Sequence, residues 1–287
     1  MNLVKFATDA DPSPRVGLLQ GDEVVPLGGG SSRLSEILHS GDPAGTVRDL
    51  AARAEKSLPL ASIRLLAPID RQEVWGAGVT YERSKTAREE ESQQAATFYD
   101  LVYRAERPEL FFKATPHRVV GPGGAIRIRR DARWTVPEPE LALVLSPKLE
   151  LVGYTIGDDV SARDIEGENP LYLPQAKVYD ACCALGPGVV LASSIADPSS
   201  LEIRLEIHRQ GALAFEGTTS TARMARRFED LIAWLGRDHS FPDGLILLTG
   251  TGIIPPDDFA LESGDRVRIA IEGLGVLENA AVRGDGA

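Results

Sequence analysis

The sequence predicts an α+β protein, with a small α/β domain over residues 1–70 followed by a larger, strand-rich domain over residues 71–287. Three observations carry that prediction. From about Glu109 onward strands dominate, with segment after segment alternating apolar and polar residues or running in β-branched ones. Only one amphipathic helix interrupts them, so strands and helices do not alternate as a doubly wound sheet requires. The chain of 287 residues also sits near the upper limit for one hydrophobic core, which favours a main domain with an appendage.

The first part reads as short strands at Leu3–Ala7, Arg15–Leu19 and Glu23–Leu27, separated by turn residues at 9–13 and 28–32. Helices are expected from Ser35 to about His39 and from Thr46 through Leu58, where apolar residues recur at helical spacing. Residues 60–72 then form the boundary. From Ser84 to Arg107 the chain is charged and helix-prone. Strands are expected at Ile126–Ile128, Glu140–Leu145, Leu149–Ile156, Gly188–Leu191, Leu201–His208, Leu245–Leu248 and Arg266–Ile271. The interrupting helix carries Met224, Phe228, Leu231, Ile232 and Leu235 on one face, with Ser220 or Thr221 as candidate caps.

Composition removes several function classes. With 31 Lys and Arg against 42 Asp and Glu, the net charge of −11 argues against a polyanion-binding surface, so no nucleic-acid partner is expected. No apolar stretch approaches the roughly 20 residues that span a bilayer, and the opening Met1–Phe6 is too short and mixed for a signal peptide. The two cysteines, Cys182 and Cys183, are neighbours and form neither a disulfide framework nor a CxxC metal pattern. The expectation is a reduced, cytoplasmic protein without a membrane partner.

Candidate chemistry lies with carboxylates. His39, His117, His208 and His239 are scattered, and the glycine clusters lack the lysine or following helix of a phosphate loop. Glu138-Pro139-Glu140 opens a strand, and residues two apart on a strand project from one face. Two carboxylates so placed repel unless a cation lies between them, which suits an oxygen-ligated divalent metal. A solvated strand end has the same pattern, so the spacing alone does not choose. Asp158-Asp159 follows the next strand; if the chain turns back near residues 146–148, Asp159 comes beside Glu140.

Several ordered segments extend the pattern: Glu138–Ala142, Gly153-Tyr154-Thr155-Ile156-Gly157-Asp158-Asp159-Val160-Ser161-Ala162-Arg163-Asp164, Lys177–Asp180 with Leu185-Gly186-Pro187, Leu248–Gly252, Ser263–Val267 and Glu272–Asn279. Over about residues 72–285 the chain thereby resembles the fumarylacetoacetate hydrolase superfamily. The resemblance implies a mixed β-sandwich roll holding one divalent cation, Mg²⁺ with Mn²⁺ as the alternative, on Glu138, Glu140 and Asp159. It places Lys177 near the metal as a proton carrier and Thr251 against the substrate's carboxylate or 2-oxo oxygen. Ser84, Lys113 and Tyr179 are the other residues expected on the substrate. The metal's implied task is to chelate a 2-oxo acid, polarise its C2 carbonyl and hold the enolate formed when C3 loses a proton.

One departure narrows the reaction. Carbon–carbon hydrolases of the family resemble Gly-x-Asn-Tyr-x-x-His with a nearby glutamate, whereas this chain reads Gly78-Val79-Thr80-Tyr81-Glu82-Arg83-Ser84, with Ser84 at the histidine position. The wording of residues 78–81 with 87–92, of 107–114 and of 169–177 is similar to a sugar-acid branch, the 2-keto-3-deoxy-pentonate dehydratases that make 2,5-dioxopentanoate. That branch implies Lys177 as the C3 base and Glu109 as the acid for the departing water, with Glu90 or a neighbour as the other candidate. Other settings are a structural ion pair of Lys177 with Asp164 or Asp180, and a surface position for Glu109. The rival activities are an acylpyruvate hydrolase, a 2-oxo acid isomerase or decarboxylase, and a metabolite-binding protein without turnover. A homodimer or homotetramer is the implied assembly.

Overall fold

In a computed structural model the protein is described over residues 1–28, 33–54, 56–81 and 101–284. Ser84 and Glu90 lie outside the described residues. In chain order the elements are β1 (Asn2–Ala7), β2 (Arg15–Gln20), β3 (Glu23–Pro26), α1 (Leu34–Leu38), α2 (Pro43–Ala51), β4 (Leu58–Pro59), β5 (Arg64–Leu66), β6 (Glu73–Gly78), β7 (Glu109–Ala114), β8 (Val119–Val120), β9 (Ala125–Ile128), β10 (Thr135–Val136), β11 (Pro139–Leu145) and β12 (Leu151–Asp159). There follow β13 (Ser161–Ala162), α3 (Arg163–Glu168), α4 (Leu173–Lys177), β14 (Cys183–Leu191), β15 (Glu202–Arg209), β16 (Ala212–Ser220), α5 (Phe228–Leu235), β17 (Leu245–Leu248), β18 (Arg266–Ile271) and β19 (Gly275–Arg283). The fold is α+β and dominated by sheet, as predicted.

Two sheets make the body. The larger has twelve strands along β4-β3-β2-β1-β14-β12-β11-β17-β6-β7, with β5 beside β1 and β8 beside β14. The smaller runs β16-β15-β18-β19-β9. Leu141, Leu143 and Leu145 of β11 and Ile156 of β12 pack with Ile203, Leu205 and Ile207 of β15 and with Val267, Ile269 and Ile271 of β18 in one core. Ala142 and Val144, on the opposite face of β11, pack with Ile246, Leu248 and the N-terminal Leu34, Ile37, Leu38 and Val47. This explains the two sequence textures. β11 and β17 are covered on both faces and read as continuous apolar runs, whereas β15 alternates because its outer face meets water. The N-terminal strands extend the large sheet, since β1 pairs antiparallel with β14 through Asn2↔Val190 and Leu3↔Val189.

Two helices differ from the prediction. The second was expected over Thr46–Leu58 but runs Pro43–Ala51: Asp42 accepts the Gly45 N–H as a cap, Pro43 stands at N1, and Leu58 pairs with Val24 as strand. The late helix begins only at Phe228. Ser220 instead caps the short 3₁₀ turn Thr221–Arg223, and the Ala225 N–H is donated to Thr80 O at 2.8 Å. Tertiary hydrogen bonding here overrides helical periodicity.

Candidate metal centre and active site

The site grows from the β11–β12 hairpin. Ser146 Oγ accepts the N–H groups of Lys148 and Glu150, and the Leu149 N–H returns to Ser146 O at 2.8 Å, so the chain turns back here. The resulting register sets Pro139 opposite Asp158 and Glu140 opposite Gly157. At the far end the Asp159 N–H is donated to Glu138 O at 3.0 Å, and Asp158 Oδ1 accepts the Glu138 N–H at 3.0 Å. Thus Glu138, Glu140 and Asp159 converge, all buried, with one carboxylate oxygen of each within 4.8 Å of the others.

Cations approach this cluster from two directions. Lys177, the last residue of α4, donates from Nζ to Glu138 Oε2 at 2.9 Å, Asp159 Oδ2 at 3.0 Å and Ser161 Oγ at 2.5 Å. From behind, the completely buried Lys113 places Nζ 2.5 Å from Asp159 Oδ1 and donates to the carbonyls of Val160 and Lys177. Arg163, also buried and stacked over Trp134, sits 3.7 Å from Glu138 Oε1. Glu140 Oε2 accepts the Gly250 N–H at 2.5 Å. That residue has φ +95°, a conformation glycine adopts without strain.

The electrostatics follow. Burial, with Asp159 and Glu138 beside it, pushes the Glu140 carboxyl well above its usual range. Burial likewise raises Asp158 to about 8, which favours its protonated form. Burial works against charge on Asp159 too, but the Lys113 and Lys177 ammoniums outweigh it and hold Asp159 below the ordinary carboxylate value. Among the described residues, the nest contains more buried carboxyls than buried cations. Three convergent hard oxygen donors with a residual repulsion expressed at Glu140 fit a Mg²⁺- or Mn²⁺-type ion.

A pocket opens onto the three carboxylates and is lined also by Gly78, Glu109, Phe111, Glu166, Lys177, Thr251 and Ile254. The structure thus brings together six of the residues singled out in the sequence: Glu109, Glu138, Glu140, Asp159, Lys177 and Thr251. The alternative partners of Lys177 are engaged elsewhere, Asp164 with the Arg133 N–H and Asp180 with Arg127. Glu109 opens β7 directly across from Gly78, where a Cβ would collide with its carboxylate. Lys113 and Tyr179, expected on the substrate, are not among the lining residues; Tyr179 donates its hydroxyl to Val160 O at 3.1 Å. Glu166, Phe111 and the Gly250 N–H were not foreseen. Gly250 and Phe111 lie inside the segments Leu248–Gly252 and 107–114 that carried the resemblance, and Glu166 stands two residues after the Gly153–Asp164 motif, but nothing in the sequence singled out the part each plays.

Comparison with known proteins places this geometry. The family model described as fumarylacetoacetate (FAA) hydrolase C-terminal matches residues 73–282, and one described as Rv2993c-like, N-terminal matches residues 1–68. The chain is 51% identical over 225 residues, 77% of its length and 76% of the relative's, to a 2-dehydro-3-deoxy-D-arabinonate dehydratase of Saccharolobus solfataricus. It is 51% identical over 212 residues, 74% of its length and 73% of the relative's, to a probable 2-keto-3-deoxyxylonate dehydratase of Haloferax volcanii. An oxaloacetate tautomerase of Xenopus laevis is 31% identical over 98% of this chain and 90% of its own. A solved 2-keto-3-deoxy-D-arabinonate dehydratase complexed with magnesium and 2,5-dioxopentanoate superposes with a TM-score of 0.83 at 38% identity, covering both chains fully. On a match that spans most of its length, the chain belongs to the fumarylacetoacetate hydrolase family.

Proposed function

We propose that the protein is a Mg²⁺-dependent hydro-lyase that converts a 2-keto-3-deoxy-pentonate to 2,5-dioxopentanoate. The observation that carries the reading is Lys177 poised on two of three convergent carboxylates in the pocket that also holds Glu109. Glu138, Glu140 and Asp159 would hold the ion, which supplies Lewis-acid polarisation of the substrate's 2-oxo group. Lys177, as the amine, takes the C3 proton. Glu109, as the acid, delivers a proton to the hydroxyl leaving C4, so one water departs. The double bond left between C3 and C4 then shifts as C5 loses a proton and C3 regains one. The enol so formed at C5 rearranges to the aldehyde. Thr251 orients the carboxylate end, while Phe111 and Ile254 keep bulk water away from the reacting carbons. Lys113 acts through Asp159, and Glu90 remains the other candidate acid.

A second reading, 2-oxo acid tautomerisation, is favoured by the relative aligned over 98% of the chain. It uses the C3 proton transfer without loss of water. Incubation with 2-keto-3-deoxyarabinonate or 2-keto-3-deoxyxylonate, with and without EDTA, tests both. Metal-dependent 2,5-dioxopentanoate from one epimer is expected. No product from either, together with faster enol–keto exchange of oxaloacetate, would replace the first reading by the second. A cytoplasmic homodimer completes the proposal, with a tetramer as the other outcome of light scattering. Among the described residues no helix is long and apolar enough to cross a membrane.

A further inference from the structure

We infer that Thr80 is a positioning residue for the metal ligand Glu140, acting through the single peptide group that joins Thr249 to Gly250. Thr80 Oγ1 donates to the carbonyl oxygen of Thr249 at 2.7 Å, and the N–H of the same peptide, on Gly250, is donated to Glu140 Oε2 at 2.5 Å. A hydroxyl, a peptide and a carboxylate therefore form one chain of hydrogen bonds whose members polarise one another. Thr80 and Thr249 are completely buried and Glu140 is 2% exposed, so water does not substitute for a lost donor.

The backbone around Thr80 is held to this task. Val79, which lines the pocket, has φ +53°, an uncommon and costly conformation for a β-branched residue. It persists because Thr80 is fixed on both sides, its hydroxyl on Thr249 and its carbonyl on the Ala225 N–H, with Tyr81 bridged to Met224. The peptide is fixed from its other flank, where the Thr249 hydroxyl and N–H both reach Leu141 O at 2.8 and 3.1 Å. Without the Thr80 hydroxyl, the Thr249–Gly250 peptide loses the bond that orients its N–H toward Glu140. Glu140 is then free to turn from the point where the three carboxylates converge.

The inference rests on the metal reading of the carboxylate cluster, and Mn²⁺ binding separates the two. The full-length, metal-free protein is titrated with Mn²⁺ by calorimetry, beside thermal melting of the same samples. Thr80→Val, which keeps the shape and removes the donor, should weaken Mn²⁺ binding about tenfold, in the range for groups that orient metal ligands. Thr80→Ser should stay within about threefold of wild type, and Thr80→Cys, a weaker donor, should fall between. A role confined to stability would lower the melting temperature of Thr80→Val and leave its Mn²⁺ affinity unchanged; that result overturns the inference. If Thr80→Val does not fold, the ranking of serine above cysteine carries the test, and cysteine equal to wild type, or serine as weak as cysteine, overturns it. Failure of the wild-type protein to bind Mn²⁺ would instead overturn the metal reading on which the inference stands.

Discussion

Replacing Lys113 by methionine isolates the charge that reaches the carboxylate cluster from behind. Methionine fills much of the same volume, so the loss is chiefly of the ammonium. That group sits 2.5 Å from Asp159 Oδ1 and bonds two buried carbonyls, those of Val160 and Lys177. Breaking a buried ion pair costs roughly 3–5 kcal/mol because the abandoned partner stays buried. Asp159 keeps Lys177 at 3.0 Å, which favours the lower figure. Each carbonyl left without its donor adds about 1 kcal/mol. A loss of about 5 kcal/mol follows, against a total of about 5–15 kcal/mol for a typical protein. Urea unfolding of the metal-free protein, followed by circular dichroism, measures it. A loss below about 1 kcal/mol would refute the view that the Lys113 charge, together with Lys177, keeps a buried Asp159 ionised, since removing one partner of a dry pair should not be that mild.

Glu138→Gln and Asp159→Asn should each abolish metal-dependent turnover and weaken Mn²⁺ binding at least tenfold while circular dichroism stays unchanged; full activity in either would remove the carboxylate cluster from the reaction. Gly78→Ala places a Cβ against the Glu109 carboxylate, so dehydration should fall by about tenfold or more while Mn²⁺ affinity holds; equal loss of both would mean the whole pocket moved. Lys177→Ala should stop exchange of the substrate's C3 protons with deuterated solvent, whereas Glu109→Gln should leave exchange intact and block loss of water. NMR of the substrate distinguishes them, and exchange at the wild-type rate in Lys177→Ala would dismiss Lys177 as the base. Burial of His39 depresses its pKa in the folded state. The folded protein therefore binds that proton less readily than the unfolded chain, and this contribution to stability is present above about pH 6.5 and is lost as pH falls through the lowered value. His39→Gln should flatten the stability profile between pH 7 and pH 5; an unchanged slope would assign it to other groups.

The part of the site legible in the sequence is the part encoded by short-range period. Glu138 directly precedes β11 and Glu140 is its second residue, and the turn at residues 146–149 carries Asp159 back beside them. The register differs in one detail: Asp159 bonds the backbone of Glu138, and Gly157 faces Glu140. The remaining contacts come from distant segments that no local pattern links. Gly250 reaches Glu140 from 110 residues away and Lys113 reaches the Val160 carbonyl from 47. The role of Lys113 is set by burial, which its own strand does not reveal, because β7 is an edge strand whose first four residues are only partly covered. The two sheets were legible as strands but not as partners. β11 and β17, the strands that gave the clearest apolar runs, are those buried on both faces.

The ladder from β1 to β14 also limits how the molecule can move. A protein whose two modules touch only through side chains can swing one against the other to admit and trap a substrate. Here the backbone hydrogen bonds of Asn2 and Leu3 run into the strand beside β12, and the α1–α2 face is packed onto β11 and β17. Opening a hinge at that seam would break a sheet and uncover a core together. The N-terminal module thus serves as a fixed buttress for the strands that carry the carboxylates.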